Sequence, residues 1–328
     1  MLLAACGSSD GDTGTGEASG TLTIYSGRSE SLVQPIIDQF SEETGVSVEV
    51  RYGDTSGMAA QLIEEGDRTP ADVFLAQDAG ALGAVAQEGL FAPIAAEITA
   101  QVPEQYRDSA DQWVGLTGRA RVMVYDPAQV DEADLPVSVY ELTAPEWEGK
   151  VAIAPPNASF QSFVTGMRVA DGEQTAQDWL DDMVANDVQS YDKNGPILAA
   201  VEAGEVPLGL INHYYWYEEV AEVGAENVSS LLAYTEAGDP GSLVNVSGIG
   251  ILTGSADDPN ATALVEYLLG DTGQTYFAEE TLEYPLIDSV PPAADLPPLD
   301  SLQGPAIDLG DLSSLSQTVA MLQEAGLL

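Results

Sequence analysis

The chain has 328 residues, 45% of them hydrophobic, enough to build the cores of two ordinary domains. Fifty-four acidic residues against nine basic ones give a formal net charge of −45, which repels nucleic acid and anionic lipid headgroups and excludes both as partners. Such self-repulsion is relieved where molar salt shortens the Debye length to about 3 Å, so the acidity reads as salt adaptation, with cation capture over the whole surface as the other reading.

A single cysteine rules out an internal disulfide and any multi-cysteine metal site, and a single histidine rules out a multi-histidine zinc site. Leu3-Ala4-Ala5-Cys6 followed by Gly7-Ser8-Ser9 looks like a bacterial lipobox, in which the cysteine is lipidated and becomes the mature N-terminus. Met1 to Ala5 is too short for a whole signal peptide, so the numbering is expected to begin inside one. Gly7 to Gly20 has the composition of a flexible tether. No later stretch approaches the roughly 18 apolar residues of a membrane span. The expectation is a soluble body on a lipid anchor at Cys6, outside the cytoplasm.

Thr21 to Tyr25 alternates as a strand and runs into the polar turn Ser26-Gly27-Arg28-Ser29. Leu32, Val33, Ile36, Ile37 and Phe40 then recur at helical spacing, with Ser29 or Ser31 to cap the start and Gly45 to end it. Val46, Val48 and Val50 alternate as a second strand, completing a βαβ unit. Met58 to Glu65 predicts a helix, and Ala71 to Ala76 a third strand ending at Gln77-Asp78. The repeat of strand, polar turn and helix predicts an α/β fold with a mostly parallel sheet covered on both faces.

Gly118-Arg119-Ala120-Arg121 precedes the apolar strand Val122 to Tyr125. In a chain so poor in bases, Arg119 and Arg121 either pair with local carboxylates or hold an anion in their planar donor forks. Val151 to Ala154 predicts a strand and Phe160 to Val169 a helix, which puts the amides near Ala158 and Ser159 at a helix N-terminus, a ready anion site. Gln174 to Ala185 and Ile197 to Glu202 are further helical patterns around the polar turn Tyr191 to Gly195.

Val206 to Ile211 reads as a buried strand that delivers Asn212-His213-Tyr214-Tyr215-Trp216-Tyr217 to its end, where open α/β sheets commonly bind ligands. Trp216 and Tyr217 read as packing residues, and His213 as a satisfied edge histidine. Gly238 to Gly241 is a turn, Leu243 to Leu252 a strand with glycines, and Ala261 to Leu269 and Gln274 to Glu280 are helices. Leu296 to Gly310 is irregular, and Leu312, Leu315, Val319 and Leu322 mark a last helix.

No phosphate-binding or dinucleotide-binding glycine motif is present, and a histidine-dependent nucleophile would have only His213 to use. Carboxylate-pair hydrolysis stays open on counting alone, because 54 acids make chance pairs inevitable. Adjacent tyrosines suit a hard trivalent cation, which displaces the phenol proton and takes phenolate oxygen. Two phenolates on Fe(III) leave a positive charge that a bound anion completes.

These residues resemble the ferric-iron-binding lipoproteins and periplasmic proteins of bacterial ABC importers, of the type II periplasmic-binding-protein fold. The resemblance runs from Thr21 to the last helix and is carried by Ile24 to Gly27, Glu64 to Phe74, Gly118 to Val122, Asn212 to Tyr215 and Asp239 to Val244. It implies two lobes, 21–117 plus 244–290 and 118–243 plus 291–328, with the ligand in the cleft between them and residues 1–20 as lipobox remnant and tether. It further implies Tyr214 and Tyr215 as Fe(III) ligands, with Asn157, Ser159, Asn194 and Asn212, or Arg119 and Arg121, around a carbonate, phosphate or citrate. Tyr25 is a further expected cleft contact. Ser29 stands where a histidine ligand is common in the family, and Gln77 where one branch has a glutamate. The partner implied is an ABC permease, the expected state a monomer, and no enzymatic activity is expected. The alternatives are the same fold binding another small anion or an organic solute, a hydrolytic enzyme, and a ligand-free surface lipoprotein.

Overall fold

The first strand, β1 (Thr21–Ser26), buries Leu22 and Ile24 and passes the chain through Gly27-Arg28-Ser29 into α1 (Glu30–Thr44). Val33, Ile36, Ile37 and Phe40 form the buried stripe of α1, and Gly45 ends it at φ 76°, a left-handed conformation that glycine adopts without a Cβ penalty. β2 (Ser47–Tyr52) pairs parallel with β1, as the βαβ reading requires. α2 (Thr55–Glu65), β3 (Val73–Ala76), α3 (Ala79–Gln87), β4 (Phe91–Ala92) and α4 (Ala96–Thr99) follow. Asp54 and Asp78 cap α2 and α3, their carboxylates accepting from the N–H of Gly57 and of Ala81. This structure is a computed structural model that describes residues 20–293 and 296–328, so Cys6 and its lipobox lie outside the described residues.

β5 (Val114–Tyr125) is buried along its whole length and takes in the arginine pair, which therefore sits within the strand rather than before it. β6 (Val151–Ile153), α5 (Ala158–Asp171), α6 (Glu173–Ala185), β7 (Gln189–Ser190), α7 (Asn194–Glu202), β8 (Leu208–Asn212), α8 (His213–Val223) and β9 (Leu231–Ala233) form the second half. β10 (Val244–Leu252), α9 (Pro259–Leu269), α10 (Asp271–Glu280) and β11 (Tyr284–Pro285) return to the first, and α11 (Leu315–Glu324) comes last.

The strand order is β2-β1-β3-β10-β5-β8-β6-β7. Parallel pairing occupies the flanks, where β1 lies between β2 and β3 and β6 lies between β7 and β8. The centre is antiparallel: β10 pairs with β3 and β5, and β5 with β8. The reason is topological, since β5 carries the chain out to the second half and β10 carries it back, so these two run in opposite directions. Together they make a mixed α/β sheet with helices on its faces, in two lobes.

β5 changes partner within its length. Residues up to Ala120 pair with β10, and Arg121 to Tyr125 pair with β8. The expected lobe limit at 117/118 falls inside this strand, three residues before the change. The stretch 291–328 is divided between the halves. Its 3-10 turn at Leu309–Ser313 lies against α3, with the Leu312 carbonyl 2.6 Å from where a Cβ on Gly80 would stand. Ile307 lies against α5, its Cδ1 3.6 Å from where a Cβ on Gly166 would stand, and α11 packs on α5 through a 2.7 Å hydroxyl contact between Thr318 and Thr165 and through Leu322, buried in the second core.

Candidate functional site

A cleft of about 880 Å³ opens between the halves. Gly27, Gln77 and Asn157 line it just past the C-terminal ends of β1, β3 and β6, and Tyr214 and Tyr215 just past that of β8, the position at which open α/β sheets present ligands. The first turns of α1, α2, α5, α7 and α8 therefore meet there, represented by Glu30, Thr55, Ala158, Tyr214 and the cap residue Lys193. Helix N-termini carry partial positive charge and unpaired N–H groups, so a protein of net charge −45 holds a cleft whose backbone favours anions.

Tyr214 and Tyr215 occupy the first turn of α8 with their rings stacked, centroids 4.5 Å apart. Tyr214 is buried, and burial together with Tyr215 holds its hydroxyl well above the usual phenol range, despite the nearby Arg119 and Arg28. Among the described residues no three His, Cys, Asp or Glu side chains converge to hold a metal.

Three arginines surround the pair. Arg28 is buried and donates from Nη1 and Nη2 to the two carboxylate oxygens of Glu283, at 2.9 and 2.8 Å. Burial alone would depress the Arg28 pKa, but the Glu283 contact raises it above the ordinary value. Burial likewise opposes ionisation of Glu283, and Arg28 and Arg119 outweigh it, leaving that carboxyl below its usual range. Arg119 shares the same carboxylate, its Nε 3.7 Å from Oε1. Arg121 has no carboxylate. It donates from Nη2 to the Leu210 carbonyl at 3.1 Å and from Nη1 to the Ser159 hydroxyl at 3.4 Å, and packs over Phe160 and Phe163. Burial pushes its pKa down to about 9, against the pull of Tyr215 and Tyr214.

Ser159 ties this arginine to the cleft wall. Its hydroxyl donates to Asn157 Oδ1 at 2.6 Å and accepts from Asn194 Nδ2 at 3.1 Å. Asn194 Oδ1 has no partner, although Asn194 is 1% exposed. Asn212 ends β8 opposite Arg121 in register and is also buried. The structure thus brings Asn157, Ser159, Asn194, Asn212 and Arg121 together at the second half's side. Of these only Asn157 lines the cleft itself. Ser29 and Gln77 line it from the first half. Tyr25 does not: its hydroxyl leaves the other way, accepting from Arg51 Nη1 at 2.9 Å and facing Glu65 at 3.2 Å. The strand's pleat sends it there, and the expected cleft contact is withdrawn.

His213 is fully buried and bridges elements rather than facing a ligand. Nδ1 accepts from the Ala120 N–H at 3.1 Å, so Nε2 carries the proton and donates to the Leu282 carbonyl at 3.1 Å. Burial pushes its pKa down to about 4. Trp216 also packs, its Nε1 donating to the Ser230 carbonyl at 3.1 Å.

Four residues were missed from the sequence. Arg28 carries no signal beyond its place in the turn beside Ser29, and Glu283 carries no local signal. Lys193 also lines the cleft, one of two lysines in the chain. Glu218 lines it one turn beyond Tyr214, a spacing the sequence does contain. Burial, with Glu283 nearby, pushes the Glu218 pKa up to about 7, against the pull of Arg28. A second cavity of about 790 Å³ lies between Tyr106, Tyr284 to Leu286, Val290 to Pro292 and Leu296 to Pro305. Its lining is mainly proline and aliphatic and includes no basic residue, so it offers an anion no counter-charge.

Two α/β lobes, joined by strands that cross between them and enclosing a polar cleft at their strand ends, define a solute-binding protein. The chain belongs to the bacterial extracellular solute-binding protein family, whose profile matches residues 68–303. It is 36% identical over 308 residues to the Fe(3+)-binding periplasmic protein of Serratia marcescens, covering 94% of this chain and 90% of that one. Iron-bound HitA from Pseudomonas aeruginosa superposes with a TM-score of 0.88 at 34% identity, covering 94% of this chain and 99% of HitA. The Trichodesmium protein IdiA (FutA), solved in complex with iron and citrate ligands, superposes at 0.81 with 26% identity, covering 94% and 100%.

Proposed function

We propose that this protein is an extracytoplasmic receptor that binds Fe(III) together with an exogenous anion and delivers it to an ABC permease, acting as a binding module and not as an enzyme. The observation that carries the reading is the stacked Tyr214–Tyr215 pair in the first turn of α8. Fe(III) displaces both phenol protons, and the phenolates so formed lie where helix N-termini and three arginines favour negative charge. Arg121, which has no carboxylate of its own, and the Asn157, Ser159 and Asn194 groups hold the anion. A carbonate, phosphate or citrate satisfies them, and a cleft of about 880 Å³ leaves room for a polycarboxylate. The iron-binding relatives support the cargo, and the citrate-bound Trichodesmium neighbour supports the larger anion.

The lobes close over the cargo by a hinge where β5 and β10 cross between them, residues 21–120 plus 244–290 moving against 121–243 with α11. The body works as a monomer on a lipid anchor at Cys6, its acidic surface suited to high salt. A different small anion is the second reading, favoured by the uncharged Ser29 and Gln77 in the cleft wall.

Titration of the iron-free protein with ferric citrate at high salt tests this. A visible phenolate-to-iron charge-transfer band is expected to grow to one iron per chain. In the Tyr214→Phe/Tyr215→Phe double variant the band disappears and affinity drops by about a thousandfold or more, about 4.1 kcal/mol. Iron binding by the unaltered protein without such a band, or an undiminished band in the double variant, would falsify the tyrosine reading.

A further inference from the structure

Glu218 is a carboxylate held in the cleft with no partner. It lies on α8 four residues after Tyr214 and three after Tyr215, spacings that bring side chains to one face of a helix, and all three line the same cleft. Among the described residues it makes no salt bridge and no hydrogen bond, although Arg28 is near enough to act on it electrostatically. Arg28 instead directs an N–H from each terminal nitrogen to Glu283. The carboxylate is half-buried and open to the cleft, so it is free to take a ligand there.

We infer that Glu218 is a third protein ligand to the cation, completing with Tyr214 and Tyr215 a set drawn from two turns of one helix. This rests on the Fe(III) reading above. Two phenolates and one carboxylate bring three negative charges to a trivalent ion, so the protein-bound ion is neutral before any anion joins it. Glu30 and Asp54 line the cleft from the first half, and of the carboxylates lining it Glu218 is the one on the helix that carries the tyrosines. The exogenous anion then fills coordination positions rather than balancing charge, held by Arg121 and the α5 and α7 N-termini on the same side of the cleft.

Glu218→Gln and Glu222→Gln separate ligation from long-range charge. The second removes the same unit of charge from the same helix at an exposed position outside the cleft lining. In a ferric citrate titration Glu218→Gln is expected to keep the charge-transfer band but shift it to longer wavelength, because losing an anionic donor leaves the iron more electron-poor. Its affinity falls by about tenfold or more, and Glu222→Gln matches the unaltered protein. An unshifted band with undiminished affinity in Glu218→Gln overturns the assignment, as does an equal loss in both variants. Absence of any band in the unaltered protein instead overturns the tyrosine reading, and this inference with it.

Discussion

Arg119 and Arg121 leave the same face of β5, two residues apart, and meet opposite surroundings. Arg119 joins Arg28 around the buried carboxylate of Glu283, a cluster in which each guanidinium faces an anion. Arg121 is as deeply buried, yet its neighbours are a hydroxyl, a carbonyl and two phenyl rings. A guanidinium stays charged at neutral pH even with its pKa pushed down to about 9. The first site is the more closed, one carboxylate shared by two guanidinium groups with Arg119 Nε and Nη1 still lacking a hydrogen-bond partner among the described residues, and the second is open, with no carboxylate beside it among those residues. A buried charge is thus informative about function chiefly when its counter-charge is missing.

The sharpest way to break this contrast is Glu283→Gln. Removing the shared carboxylate strands two buried guanidinium groups, and the expected loss is about 3–5 kcal/mol in denaturant unfolding. The deficit is expected to persist at molar salt, since ions do not screen a buried cluster as they screen the acidic surface. A loss below about 1 kcal/mol would mean that Glu283 does not hold the cluster together.

His213 sits against the closed site and gives it a pH signature. Its folded pKa, about 4, lies below the ordinary 6.5, so the unfolded chain takes up the proton first. Its contribution is whole above about pH 6.5 and is lost as pH falls toward about 4, with no further change below. Over that window the stability gap between the unaltered protein and His213→Gln is expected to narrow by about 3 kcal/mol. A gap independent of pH would show that the ring is not held neutral.

Arg121→Met probes the open site and should have the smallest effect on stability. Deleting an uncompensated buried cation is expected to change unfolding free energy by less than about 1 kcal/mol, in either direction. Ferric affinity in the presence of citrate should nevertheless fall by about tenfold, about 1.4 kcal/mol. If Arg121→Met destabilises the fold as much as Glu283→Gln and leaves iron binding intact, the two arginine sites are alike after all.

Much of the fold was legible because its signals are local. Helical spacing from Val33 to Phe40 with Gly45 after it, or alternation ending at a polar turn, needs only a few neighbouring residues. The antiparallel centre was not legible, because it depends on which strands carry the chain between the halves. Within the site, the tyrosine pair stood out as two adjacent aromatics at a strand end. Glu218 was readable from its spacing and was hidden by the abundance of other acids.

The sequence by itself determined the α/β elements, the acidic charge balance and the Asn212 to Tyr215 segment at the end of a buried strand. Only the tertiary structure decided that Arg28 meets Glu283 across 255 residues of chain, and that Arg121 meets no carboxylate. It likewise turned Tyr25 toward Arg51 and locked His213 between Ala120 and Leu282. The physical reason is range: backbone periodicity is set within a turn or two of chain, whereas the partner of a buried charge is set by strand order, which no local stretch encodes.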